Sequence, residues 1–320
     1  MRRAPHRFGP KPLPSLVEAV GRTPLVRLRT VGAEYAPRVE IYVKLEWFNP
    51  GGSVKDRPAR QMLLDAMADG RLREGMTIID STSGNTGVAY AWLSAALGLK
   101  CVLVMPENVS YGRKAFVKAL GVEVVHSDPL ESSDGAILLA KKMVEEAPGR
   151  YFYPDQYANP SNPGAHERTT APEIFAQTGG RVTHFVTGVG TTGTVMGTGR
   201  GLKGLRPGVQ IIAVEPDSSF HGLEGLKHIP SSIRPPIWQP EGVIDEIMPM
   251  ETEEGWDMSE RLVRDEGLAM GYSSGANVAG ALRVARRLYE AGEEGVVVTM
   301  GCDRADRYFE AGRWDPKHLW

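Results

Sequence analysis

Two kinds of run alternate along this chain. Short apolar blocks recur at residues 76–80, 100–105, 122–127, 184–187, 210–215 and 295–300, with a shorter one at 150–153. Their apolar residues are nearly consecutive, and the blocks are too short for stable helices, so each reads as a buried strand. Between them lie longer stretches with apolar residues at helical spacing. From Asp56 to Met67, the residues Ala59, Met62, Leu63, Ala66 and Met67 fall on one face. Similar patterns predict helices over 88–97, 112–120, 134–147, 195–202 and 277–289; Gly98 and Gly121 stop the first two of these. Strand–helix alternation predicts an α/β fold of two doubly wound lobes with parallel sheets and helices on both faces. A loop rich in Pro and Asn, 154–163, separates the two sets. Residues 216–240 carry Pro230, Pro235, Pro236 and Pro240 and no periodicity, and read as a flap over a site.

Three polar motifs stand at the starts of predicted helices. Lys55 follows the Gly51-Gly52 turn and precedes the helix from Asp56, with Asp56 or Ser53 as its cap. A helix N-terminus disfavours an ammonium and favours a neutral, nucleophilic amine, the form that condenses with an aldehyde such as pyridoxal phosphate. The second motif, Ser81-Thr82-Ser83-Gly84-Asn85-Thr86-Gly87, joins a strand to a helix. It gathers hydroxyls, an amide and free N–H groups, a geometry that binds carboxylates. The third, Gly188-Val189-Gly190-Thr191-Thr192-Gly193-Thr194, also follows a strand and opens a helix. Its glycines let the backbone approach an anion and its threonines add donors, which points to a phosphate. The string also satisfies the loose pattern G-x-G-x-x-G, with Glu215 where a ribose-binding acid would stand. Whose phosphate it is therefore stays open at this point.

Length and charge narrow the classes. The 320 residues suffice for two packed lobes. A net charge of −2 gives no electrostatic case for nucleic acid or a membrane surface, and no apolar run is long enough to span a bilayer. Cys101 and Cys302 cannot form a disulfide framework and fit a reducing compartment. No zinc-type Cys/His spacing appears, so no metal is expected. The basic, proline-rich start, residues 1–14, lacks the apolar stretch of a secretory signal. A cytoplasmic protein is expected.

Together the motifs resemble the cysteine synthase family, pyridoxal phosphate enzymes of fold type II, related in fold to the tryptophan synthase β chain. The resemblance runs from Gly21-Arg22-Thr23-Pro24-Leu25-Val26 to Cys302-Asp303-Arg304-Ala305-Asp306-Arg307-Tyr308. It implies a smaller, mobile lobe over 49–159 and a larger lobe made of 1–48 plus 160–320. It implies that Lys55 carries the cofactor as a Schiff base and moves the substrate α-proton. Asn85 would bond the cofactor's ring oxygen. Thr82, Ser83, Thr86 and Gln156 would hold the substrate carboxylate. Gly190, Thr191, Thr192, Gly193 and Thr194 would cradle the phosphate; many relatives carry glycine where Thr192 stands. Ser273 matches the serine that bonds the pyridine nitrogen, and Ser274 reads equally as a cap for the helix from Asn277. The ending Cys302–Tyr308 and the stretch Gly225-Leu226-Lys227-His228-Ile229-Pro230 resemble the B type. Lys227 and His228 would then face the mouth of the site and attract an anionic substrate.

The implied activity is that of a transferase in cysteine biosynthesis. Sulfide, thiosulfate or a thiocarboxylate donor replaces the leaving group of O-acetylserine or O-phosphoserine. The resemblance also implies a homodimer. Cystathionine β-synthase and serine/threonine dehydratases share the chemistry or the fold; a haem-ligand extension and a regulatory module, which would favour the former, are not seen. An NAD oxidoreductase built on the Gly188 loop is a reading from a different class, but it leaves Lys55 and the Asn85 loop without a role.

Overall fold

The computed structural model describes residues 13–82, 84–107, 109, 111–128 and 132–308. The apolar blocks form two sheets. One has six strands: β1 (Leu25–Arg27), β2 (Val39–Leu45), β7 (His184–Gly188), β8 (Gln210–Pro216), β9 (Glu246–Met250) and β10 (Gly295–Gly301). Their order is β1-β2-β10-β7-β8-β9, and every pair is parallel except β1–β2. The other sheet has β3 (Thr77–Ser81), β4 (Lys100–Pro106), β5 (Glu123–Ser127) and β6 (Tyr151–Phe152), ordered β5-β4-β3-β6 and all parallel. The fold is thus α/β, as expected, with one antiparallel edge strand added. Strands β1, β2 and β9 were not predicted. Glu40 and Lys44 break the apolar run of β2, and β9 alternates half-buried, exposed and buried positions.

Helices cover both sheets. The helix α1 (Asp56–Ala68) buries Ala59, Met62, Leu63 and Ala66 completely, whereas Met67 is 42% exposed and lies off the stripe. Each large apolar side chain buried this way contributes about 1.5–3 kcal/mol. These residues pack with Ile78 of β3, Leu103 of β4, and Ala89, Tyr90 and Leu93 of α2 (Asn85–Leu97) in one core. The helices α3 (Tyr111–Ala119) and α4 (Ser132–Glu146) follow β4 and β5. A short α5 (Ser161–Ala165), a π-helical turn (His166–Thr170) and α6 (Ala171–Gln177) form one continuous segment. The helix α7 (Gly193–Leu205) follows β7, and α8 (Thr252–Glu266) precedes α9 (Tyr272–Glu290). In α9, Gly280 permits close approach to the sheet: a Cβ there would lie 2.7 Å from Val214. The helix α8, not predicted, is mostly charged and buries only Gly255, Ser259 and Leu262.

Parallel strands deliver their C-terminal ends to one side of each sheet, where helix N-termini begin. The ends of β3, β7 and β10 lead to the starts of α2, α7 and the segment Cys302–Tyr308. Among the described residues no helix is long and apolar enough to cross a membrane, and no cluster of three or more His, Cys, Asp or Glu is set to hold a metal.

Candidate active site

Lys55 stands immediately before α1, at the N-cap position. No side chain caps this helix, contrary to expectation. The Asp56 carboxyl instead accepts the N–H of Gly51 at 2.7 Å and the Trp92 indole at 2.9 Å, fixing the Gly51-Gly52 turn. Ser53 Oγ accepts the Lys55 N–H at 3.2 Å. Burial pushes the Asp56 carboxyl up to about 6. The segment Ser53–Val54 is held against the end of β10: Ser53 bridges Asp303, and the Val54 N–H donates to the Cys302 carbonyl at 2.8 Å.

Lys44 is fully buried and Lys55 half-buried, and their surroundings differ. Lys44 has no exposed surface and its Nζ donates to Thr23 O, Glu173 Oε2 and Gln177 Oε1 at 2.6, 2.7 and 2.9 Å. Three acceptors suit an ammonium. Among the described residues Lys55 has no carboxylate within ion-pair distance. Burial lowers its pKa, against the weaker fields of Cys302 and Asp303. Burial lowers the Lys44 pKa too, so what separates the two is that Lys44 is held by three acceptors and Lys55 by no ion pair among the described residues.

Several of the other predicted residues are hydrogen-bonded to one another or to the Cys302–Tyr308 segment that packs beside Lys55. Asn85, the first residue of α2, donates to Asp303 Oδ2 at 2.6 Å, and its Oδ1 accepts the Arg307 guanidinium. Its amide keeps a second N–H. Thr86 Oγ1 donates to Gln156 Oε1 at 2.9 Å, joining the β3–α2 turn to the loop after β6. Thr82 lies in the same turn, and its Oγ1 accepts the Gly84 N–H at 3.3 Å. Ser83 lies outside the described residues.

The β7–α7 loop is built to approach an anion. A Cβ at Gly190 would lie 2.5 Å from the Gly225 carbonyl, and one at Gly193 would lie 1.9 Å from Asn162 Oδ1. Thr191 Oγ1 accepts from Asn162 Nδ2 at 3.1 Å, and Thr194 Oγ1 meets His166 Nε2 at 3.3 Å. Burial lowers the His166 pKa to about 3, so the ring is neutral. Thr192 has φ 71°, a left-handed conformation costly for a β-branched residue, and its buried Oγ1 has no hydrogen-bond partner. An unpartnered hydroxyl at a helix N-terminus, held by strained backbone, fits a bound phosphate.

Ser273 and Ser274 sit inside the first turn of α9, which starts at Tyr272, five residues before Asn277; Gly271 is the N-cap, so neither serine caps it. Ser274 Oγ accepts the Cys302 N–H at 2.9 Å, whereas the Ser273 hydroxyl faces the Cys302 thiol. Burial raises that thiol to about 11, which keeps it neutral. Cys101 is core, at 5% exposure.

The irregular segment 216–240 contains one short 3-10 turn, Ile229–Ser231, and hydrogen-bonded turns at Leu223–Leu226 and Pro235–Trp238. It is pinned at Leu223, fully buried, and packs on the β7–α7 loop through the Lys227 N–H to Val189 O bond of 2.8 Å. Lys227 Nζ lies 5.3 Å from the Tyr157 ring centre, and His228 Nδ1 lies 2.7 Å from Ser231 Oγ. Glu215 accepts the Ile229 N–H at 2.7 Å. That carboxylate anchors the irregular segment, which leaves the dinucleotide reading without its acid.

Sequence reasoning missed Asn162, Asn277 and the Arg57 ion cluster. Asn277 Oδ1 accepts the Gly188 N–H at 2.6 Å, and its Nδ2 donates to Met300 O at 2.9 Å, tying β7 to β10. Arg57 donates to both oxygens of Glu46 at 2.7 and 2.9 Å and to both of Glu173 at 2.8 Å.

A family model for pyridoxal-phosphate dependent enzymes matches residues 16–303. A cysteine synthase of Aquifex aeolicus is 48% identical over 95% of this chain and 93% of its own length. A cysteine synthase B of Pseudomonas aeruginosa is 43% identical over 95% of this chain and 98% of its own. The solved structure of an Entamoeba histolytica cysteine synthase superposes with a TM-score of 0.90 at 35% identity, covering 98% of this chain and 93% of that one. The chain belongs to the pyridoxal-phosphate dependent enzymes, within the cysteine synthase family.

Proposed function

We propose that this protein makes L-cysteine by replacing the β-substituent of an O-activated L-serine with a sulfur nucleophile. The donor is O-acetylserine or O-phosphoserine. The nucleophile is sulfide, thiosulfate (giving S-sulfocysteine) or a thiocarboxylate. One observation carries this reading: among the described residues Lys55 makes no ion pair, and its segment is held against the end of β10, where Asp303 bonds Asn85 of the second motif. The mixed sheet memberships support a smaller lobe over 49–159 and a larger one from 1–48 plus 160–320. A cytoplasmic homodimer completes the proposal.

Lys55 Nζ would hold the cofactor, Asn85 its ring oxygen, Ser273 its ring nitrogen, and Gly190–Thr194 its phosphate. Bound there, pyridoxal phosphate supplies an electron sink for negative charge developing at the substrate Cα. Thr82, Ser83, Thr86 and Gln156 orient the donor by its carboxylate. Lys55 Nζ takes the proton from Cα, and its depressed basicity keeps a fraction of the amine free to do so. Ser273 offers the ring nitrogen a neutral hydroxyl, which tempers the sink and favours loss of a β-substituent over transamination.

The test is turnover. Purified holoenzyme should form cysteine from O-acetylserine or O-phosphoserine only when sulfide is added. Pyruvate formed without sulfide as the main product would identify a dehydratase instead. Lys227→Ala should lower kcat/KM for O-phosphoserine by about tenfold, the equivalent of ~1.4 kcal/mol, and leave O-acetylserine within about twofold. Equal losses for both donors would remove Lys227 from donor selection.

Thr192→Gly separates strain from binding. Glycine relieves the left-handed backbone but adds chain entropy, two terms of about 1 kcal/mol each, so the thermal midpoint should barely move. Loss of a hydroxyl bonded to an anion should weaken pyridoxal phosphate binding about tenfold, from ~1.5 kcal/mol, read by equilibrium dialysis. Unchanged affinity would place the hydroxyl outside the phosphate contacts.

A further inference from the structure

Asp80 is a buried acid that the proposed chemistry does not use. It stands two residues before Thr82, near the end of β3, and is 2% exposed. Its Oδ1 accepts the Ser81 N–H at 2.7 Å, so it holds the turn that leads into Thr82. Its Oδ2 is fully buried, and among the described residues no cation or backbone N–H reaches it. The buried Tyr90 hydroxyl of α2 is the one side-chain donor that favours its ionised form. The Asp80 carboxyl also acts electrostatically on Cys101 of β4 and Tyr153, just past β6. Asp155, which adjoins Gln156, disfavours the ionised form of Asp80 by like charge; the Asp155 Oδ1 accepts the N–H groups of Tyr157 and Ala158 at 3.3 Å each. Among the described residues no lysine or arginine pairs with Asp80. The carboxyl is therefore bonded to one of the segments assigned to the donor carboxylate, the β3–α2 turn, and within electrostatic reach of the other, the loop carrying Gln156.

We propose that Asp80 is a positioning residue for the donor, holding the Ser81–Thr82 turn as a neutral acid and weakening carboxylate binding when it ionises. A charge there has no cation to offset it. It would repel Asp155 and, through a low-dielectric interior, the incoming carboxylate. The inference rests on the assignment of Thr82, Thr86 and Gln156 to that carboxylate.

Burial pushes the Asp80 carboxyl up to about 7, which places its ionisation in the working range. The sign follows from linkage. Below about pH 7 Asp80 is neutral and affinity is highest; affinity falls as pH rises through that value. Reciprocally, the bound carboxylate raises the Asp80 pKa, so binding takes up a proton near neutrality.

Propionate, a carboxylate with no amino group and no leaving group, isolates this effect. Its dissociation constant for the holoenzyme is read from cofactor fluorescence between about pH 5.5 and 8.5. The wild type should lose about tenfold in affinity across this range, within the usual span of coupling between sites. Asp80→Asn, uncharged at every pH, should bind as the wild type does at low pH and show a flat profile. Tyr90→Phe removes a donor to the ionised form, so its profile should shift to higher pH. That second variant stands on its own if Asp80→Asn fails to fold. Wild-type profiles in both variants overturn the proposal, as does a uniform loss in Asp80→Asn with the pH dependence intact. Propionate binding that ignores Thr82→Ala overturns the carboxylate assignment and this inference with it. Binding that depends on Thr82 but whose profile ignores Asp80 overturns this inference alone.

Discussion

Replacing Lys55 by alanine is expected to lower cysteine formation by at least about a thousandfold, the range seen when a positioned proton-transfer group and nucleophile is removed. The fold should survive. Lys55 forms no side-chain ion pair among the described residues, so its removal strands no buried charge. Its neighbours Ser53 and Asp56 hold the turn through their own bonds to Lys55 N–H, Gly51 and Trp92. The variant should still retain pyridoxal phosphate in part, through the Gly190–Thr194 loop, but without the absorption band of a lysine-bound cofactor. Steady-state turnover and an absorption spectrum check both points. Activity within about tenfold of the wild type would place proton transfer elsewhere.

Arg57→Ala should do the opposite, with a large loss of stability. The Arg57 guanidinium also reaches Thr169 Oγ1 at 3.0 Å and Thr23 Oγ1 at 3.1 Å, beyond its paired bonds to Glu46 and Glu173. Glu46 has no exposed surface. Without Arg57 its carboxylate is buried and uncompensated, and breaking such a pair costs about 3–5 kcal/mol. Denaturant unfolding should show that loss. Arg57→Lys should recover only part of it, because an ammonium lacks the planar fork that serves two carboxylates. Because Arg57 stands two residues from Lys55, turnover should fall in both variants as the start of α1 loosens.

The same cluster sets an acid limit. Burial opposes ionisation of Glu173, but the bonds to Arg57 and Lys44 outweigh it and hold the carboxyl down at about 2. A depressed carboxyl contributes stability above its unfolded value and loses it as pH falls. That loss should run from about pH 4.5 down toward 2, the interval between the ordinary and the folded value. In Arg57→Ala the slope over this interval should flatten.

The parts of this molecule legible in its sequence are the local ones. The β3–α2 and β7–α7 loops could be read because strand end, glycine or hydroxyl cluster, and helix start lie within a dozen or so residues. The start of α9 was read too late, because Gly271-Tyr272-Ser273-Ser274-Gly275 has low helix propensity; packing of Ser273 and Ser274 against Cys302 overrides it. The left-handed backbone of Thr192 had no signal in the residue itself, since threonine is among the residues least suited to it; the glycine of many relatives at that position was the one hint. The partners of Arg57 were out of reach for another reason. Glu46 lies 11 residues away and Glu173 lies 116, so only the folded chain shows that one guanidinium serves both. Asn162 is a similar case, since it touches Thr191 and the Gln156 carbonyl from a segment that reads as a plain loop.

The account depends on which nitrogen carries the cofactor. Borohydride reduction of the holoenzyme fixes pyridoxal phosphate to its lysine, and tryptic digestion with mass spectrometry then locates the added mass. The label should appear on the peptide spanning residues 45–60, whose sole lysine is Lys55. A label on Lys44 or Lys227, with that peptide unmodified, would contradict it.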